Sequence, residues 1–194
     1  LMASGCVRAY AMAERAVAMA REAPEDPWCG LADPDQLAKG CVAATLDLED
    51  HSPLPSPAEL EATAREAEAA AMAVPGVSLM EAAGASWSRT KVHLAASNGF
   101  SGGYGRSSHA VQAVAITGEG TAMERDYAFE SRNHRDDLPS PETVGRLAGE
   151  RTAARAGASK PPTGAFPVIY HERVSSGLIG HLVSAINGTA VARG

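Results

Sequence analysis

Hydrophobic and polar positions change rhythm twice along this chain. From residue 8 to 23, alanine and methionine recur among charges as in an alanine-rich helix, and Pro24 stops the run. Asp33-Pro-Asp-Gln36 predicts a second, short helix start. Asp33 can accept from the first turn, Pro34 suits a position whose N–H has no partner, and Gln36 can reach back. Ser56-Pro-Ala-Glu59 repeats that start as a fuller capping box and predicts a helix to about Ala73, with Glu61 one turn before Arg65. Three prolines between residues 51 and 57 mark a linker ahead of it.

Beyond Gly76 the period shortens to two. Thr90, Val92, Leu94 and Ala96 alternate with Arg89, Lys91, His93 and Ala95, as in a half-buried strand. Residues 98–105, rich in glycine, are expected as an exposed loop leading to Ala110, Gln112, Val114 and Ile116. Gly118-Glu-Gly120 turns the chain again. Met123, Tyr127 and Phe129 then share one strand face, and Glu124, Asp126 and Glu130 the other. Residues 77–96, 107–117 and 121–131 are therefore expected to form one antiparallel meander. Ser140-Pro-Glu-Thr143 caps a helix to about Ala156, and Lys160-Pro-Pro162 hinges into a short strand and a helix. The order predicts an α+β fold: helices, a meander, a helix, then a strand–helix unit. The expected divisions are 1–75, the helical end of an N-terminal domain plus linker; 76–160, the central sheet with its helix; and 161–194, the opening of a C-terminal domain.

Composition refines this picture. A length of 194 residues suits one domain or a small pair, and the 45% hydrophobic content can build a core. Much of that content is alanine, which buries little area, so individual contacts are expected to be thin. A formal charge of −6 with only three lysines argues against direct nucleic-acid binding, which relies on cations that neutralise phosphates. Cys6, Cys29 and Cys41 form no C-x-x-C pair and read as reduced thiols. No apolar run is long enough for a membrane span, and no basic-then-apolar signal opens the chain; a cytoplasmic location is expected.

Candidate chemistry is sparse. Ser101-Gly-Gly-Tyr-Gly105 lies between two strands rather than between a strand and a helix, so it reads as hairpin backbone and not as a phosphate cradle. Glu124, Asp126, His134, Asp136 and Asp137 could seed a stand-alone metal-dependent hydrolase in the 124–137 region. Interleaved with Arg125, Arg132 and Arg135, they read better as a solvated face. His181 has Leu178 and Ala185 on its helix face and reads as a core or interface histidine, since one imidazole is a poor metal site. Gly177, Gly180, Ser184 and Gly188 permit close packing along that helix. No Gly-x-Ser-x-Gly elbow and no activated cysteine is present.

Several stretches, taken in order and spacing, carry a family resemblance: Glu25-Asp-Pro-Trp-Cys-Gly-Leu-Ala-Asp-Pro34, Ala85-Ser-Trp-Ser-Arg89, Ala96-Ser-Asn-Gly-Phe-Ser101, Met123-Glu-Arg-Asp-Tyr127, Gly157-Ala-Ser-Lys-Pro-Pro162, and the final Val174 to Gly188 run. Together they resemble the TldD/PmbA family of metallopeptidases, also known as modulators of DNA gyrase. Catalytic members carry His-Glu-x-x-x-His on the last helix. Anchored on Gly188, those positions hold Ile179, Gly180 and Ser184; a one-residue shift gives Gly180, His181 and Ala185. The resemblance implies the non-catalytic PmbA/TldE-like branch, with no catalytic residue and no metal of its own. Zinc is expected in a TldD-like catalytic partner; a homo-oligomer of the chain is the alternative. Glu124, Asp126 and His181 are implied as lining a channel for unfolded or modified peptides. A regulatory protein acting on a partner such as DNA gyrase is the alternative. Family members are longer, so the chain reads as a fragment. Val168, Leu178, Leu182 and Ile186 are expected to lack cover.

Overall fold

The computed structural model describes residues 2–27, 29–40 and 42–193. Trp28 and Cys41 lie outside them, as does the side chain of Cys6; Cys29 is exposed and free. The described chain separates into two compact units, residues 33–164 and residues 1–32 with 165–194.

The larger unit is a three-stranded antiparallel sheet with two helices on one face. Its strands are β1 (Val77–Ala95), β2 (Ser101–Thr117) and β3 (Glu124–Arg132), ordered β1-β2-β3. The helices are α2 (Pro57–Met72) and α3 (Pro141–Ala153), after α1 (Met2–Glu22) of the other unit. The expected α+β meander is present. The start of α2 follows its local sequence: Ser56 Oγ accepts from Glu59 N–H at 3.2 Å, and Glu59 Oε2 accepts from Ser56 N–H at 2.8 Å. Arg65 meets Glu61 at 2.7 Å. The Asp33 start yields only a 3-10 turn, Pro34–Gln36, although Gln36 reaches back as expected, its Oε1 accepting from Asp33 N–H at 2.9 Å.

Residues 33–75 lie in the same compact unit as the sheet. Helix α2 packs on the sheet and against α3, so it belongs to the sheet's own unit. Ala67 and Ala71 are fully buried there. Two glycines of α3 make the approach so close: a Cβ on Gly145 would overlap Ala67 O, and one on Gly149 would lie 2.7 Å from Val74 Cγ2. The core is thin, as alanine-rich composition predicts. Val111, Ala113 and Ala128 of the sheet meet Ala67, Val144 and Ala148 of the helices.

Two expectations about the strands need correction. The hairpin loop is short, because residues 101–105 are strand, paired with residues 91–95. Among these glycines only Gly99, in the turn, has a positive φ, at 93°. The buried face of β2 carries the odd residues 107–117. On β3 the covered face holds Asp126 and Ala128, while Tyr127 and Phe129 are 52% and 54% exposed. Period two fixes which residues share a face but not which face the helices cover.

In the smaller unit, α4 (Glu172–Ala185) starts at His171, whose Nδ1 accepts from Arg173 N–H at 3.2 Å. It is followed by α5 (Gly188–Arg193). The short strand expected after Lys160-Pro-Pro162 joins no ladder among the described residues; a strand is defined by a partner, and none is described there. Val168, Leu178, Leu182 and Ile186 are between 47% and 68% exposed.

Candidate functional site

Helix α4 brings the positions that would match a zinc motif onto one element. Ile179, Gly180 and Ser184 are all exposed, as is His181. Zinc is held by thiolate, imidazole or carboxylate donors, three of them at a hydrolytic centre. Ile179 and Gly180 offer none and Ser184 only a neutral hydroxyl, so these residues do not fit the metal. Among the described residues no group of three His, Cys, Asp or Glu side chains is placed to share an ion.

The acidic cluster on and after β3 does not converge either. Asp126 is 7% exposed rather than solvated, and Arg155 beyond α3 reaches it at 3.4 Å and Glu124 at 3.6 Å. The Asp126 carboxylate also accepts from Tyr127 N–H at 2.7 Å. His134 turns elsewhere, donating to Asp47 O at 2.8 Å. Of the residues implied as peptide contacts, Asp126 is thus internal, and Glu124 and His181 present surface.

The most organised polar site was not legible in the sequence. It lies where β3 ends and residues 48–50 take its place along β2: Ser107 N–H donates to Leu48 O at 2.9 Å, and Asp50 N–H to Ser107 Oγ at 3.0 Å. The buried Asp50 carboxylate accepts from Ser52 N–H at 2.8 Å and Arg135 N–H at 2.9 Å. His109 Nε2 lies 3.0 Å from its Oδ2, but off the line of the ring N–H, so the contact is electrostatic more than a formed hydrogen bond. Arg89 donates to Asp50 O while its guanidinium sits 5.7 Å from the Trp87 ring centroid. Trp87 in turn faces His109, ring centroids 6.5 Å apart.

Electrostatics follow from these partners. The Ser52 hydroxyl, then the N–H groups of Arg135 and Ser52, hold the Asp50 carboxyl well below its usual range, and His109 adds to this against the cost of burial. Burial pushes the His109 imidazole down, with Asp50 opposing and Arg135 assisting. The hydrogen bond to Asp47 O raises His134. Serine, histidine and aspartate stand together here, yet no nucleophile results. Ser107 is 0% exposed and its Oγ is occupied by Asp50 N–H rather than aimed at the imidazole. The arrangement is a clamp joining four separate segments. The one sequence signal for it was polar Ser107 and His109 preceding Val111, Ala113 and Ala115 on the same face.

Helices on one face of a meander, entered through this clamp, are what a known domain looks like. The family model for the PmbA/TldA metallopeptidase central domain matches residues 50–156, from Asp50 to just past α3. The chain belongs to the PmbA/TldD metallopeptidase family. It is 33% identical over 180 residues to metalloprotease PmbA of Escherichia coli O157:H7 and 30% identical over 188 to the PmbA homolog of Haemophilus influenzae. Each match covers 93% of this chain and 40% of the relative, so the chain spans well under half of those proteins. A Bacteroides thetaiotaomicron protein described as a candidate modulator of DNA gyrase aligns with a TM-score of 0.66 at 26% identity, over 89% of this chain and 40% of its own. A Thermotoga maritima structure of the same description shares the fold, with a TM-score of 0.51 at 20% identity, over 57% of this chain and 25% of its own.

Proposed function

We propose that this chain is part of a non-catalytic, PmbA/TldE-like subunit that helps to enclose unfolded or modified peptides for a TldD-like zinc peptidase. One observation carries the reading: the positions corresponding to the family's zinc helix hold Ile179, Gly180 and Ser184, side chains that cannot bind zinc or act as a base. Zinc, its water and the general base then belong to the catalytic partner. The chain supplies walls, with Glu124 and His181 as its substrate contacts, and works in the cytoplasm; no helix among the described residues is long and apolar enough to cross a membrane. A second reading, a protein that acts on DNA gyrase, draws on the description of the Bacteroides relative. With a charge of −6, such action would run through protein contact and not through DNA.

The test uses the wild-type chain and the triple variant Ile179→His, Gly180→Glu, Ser184→His, each with and without added zinc. Neither should cleave an unfolded peptide alone, because two imidazoles still lack a third ligand and the neighbours that orient them. The wild-type chain should co-purify with a TldD-like subunit and carry no stoichiometric zinc by elemental analysis. Chelator-sensitive cleavage by either protein alone overturns the reading, as does one tightly bound zinc per chain. Recovery of gyrase without any peptidase subunit would favour the second reading.

A further inference from the structure

The β1–β2 hairpin outruns β3, and two adjoining cavities flank its far end. The larger, about 640 Å³, is walled by Leu46, Val92, Leu94, Phe100 and Tyr104, and Arg106 is its one charged lining residue among those described. The smaller, about 390 Å³, is lined by Asp47, Glu49 and His51, and shares Leu48, Gly103 and Tyr104 with the first. Both volumes fall within the roughly 300–1,000 Å³ typical of ligand sites, which combine apolar walls with a few fixed polar groups.

Glu49 distinguishes this place from an ordinary surface hollow. Its half-buried carboxylate lies against the bare Cα of Gly105, where any Cβ would collide with it. Among the described residues no cation or N–H donor reaches it. The neighbouring acid is served: Asp47 has His134 Nε2 at 3.5 Å from its Oδ2. Arg106, on the apolar side, donates from Nε to Asn133 Oδ1 at 3.1 Å, and among the described residues no carboxylate pairs with it. One compartment therefore favours an apolar group, the other a cation, and Arg106 disfavours the reverse placement.

We propose that the hairpin end binds a peptide segment in which an apolar side chain adjoins a positive charge. The side chain enters between Val92, Leu94 and Phe100, and the ammonium or guanidinium pairs with Glu49 across Tyr104. A charge-assisted hydrogen bond there is stronger than a neutral one. The choice of a peptide as ligand rests on the peptide-handling function proposed above. The two claims fail separately, because binding is read on this chain alone and cleavage only with the partner.

The experiment is fluorescence anisotropy of the full chain with three labelled glycine-flanked peptides: lysine beside phenylalanine, glutamate beside phenylalanine, and lysine beside serine. The lysine–phenylalanine peptide should bind at least about tenfold tighter than the other two, the effect of one charge-assisted bond or one buried ring. Glu49→Gln should weaken it about tenfold with an unchanged melting temperature, since among the described residues the carboxylate makes no hydrogen bond or ion pair and the amide keeps its shape against Gly105. Leu94→Ser, or Val92→Ala should that variant misfold, should weaken it while leaving the lysine–serine peptide unaffected. Equal or tighter binding of the glutamate peptide would show that Arg106 orients the ligand, and overturns the proposal. So does unchanged affinity in Glu49→Gln, or the absence of saturable binding.

Discussion

Asp50→Asn tests the clamp without changing its volume. In the native site Oδ1 accepts from Ser52 N–H and Oδ2 from Arg135 N–H, at 2.8 and 2.9 Å. An amide can accept on one side only, so the other N–H is left facing an NH₂ group. Orphaning a buried donor costs about 1–3 kcal/mol, and loss of charge assistance on the surviving bond adds about 1 kcal/mol. The expected loss is about 3 kcal/mol, or about 6–12 °C in melting temperature for a chain of this length. Urea denaturation at pH 7 reads the total. Amide exchange reads its location: protection at Ser52, Arg135 and Ser107 should fall together, while the α2–α3 packing keeps its own. A variant as stable as the wild type would refute the clamp. So would a loss of stability with exchange at Ser52 and Arg135 unchanged.

The α2–α3 crossing depends on missing side chains, so Gly145→Ala should cost about 1–3 kcal/mol by overpacking against Ala67, measured as a shift in urea midpoint; a neutral variant would mean the helices can separate freely. His109 is held below its usual pKa by burial, so the unfolded chain takes up a proton first as pH drops. Stability from this residue is therefore complete above about pH 6.5 and is lost as pH falls through the folded value. The stability difference between wild type and His109→Gln should shrink from pH 7 to pH 5; a constant difference would refute this. His134, raised by Asp47, carries the opposite sign, its contribution being present below about pH 6.5 and lost as pH rises. In His134→Gln the wild type's margin should thus widen toward acid.

What could be read from sequence was what neighbours in sequence decide. Ser56, Pro57 and Glu59 lie within one turn, and their capping box formed as written. Alternation along β1, β2 and β3 located all three strands. The faces were another matter. Tyr127 and Phe129 are larger and more apolar than Ala128, yet α3 covers the side of Ala128, because a helix crossing this close admits small residues and excludes rings. Residues 101–105 looked like loop because glycine is common there; in fact Gly103 and Gly105 are strand positions where His93, Val92 and Glu49 leave no room for a side chain. Asp50 was invisible for a plainer reason. Its partners Ser107 and Arg135 stand 57 and 85 residues away, and no local pattern announces a contact at that distance.

The unequal lengths of the strands bear on the order in which the molecule assembles. Pairing with β3 stops at His109, whereas pairing with β1 continues to Ser101, so a ribbon of eight residues, roughly 27 Å at about 3.4 Å each, extends past the three-stranded part. Two-stranded ribbons are marginal on their own in water. The third lane beside Ser107 comes from a segment that emerges from the ribosome before either strand of the hairpin and must wait for both. Closing that loop is a late and entropically costly event. The ribbon should accordingly be the last part of the sheet to gain protection during refolding and the first to lose it on warming, while the portion between Val111 and Thr117 is already shut.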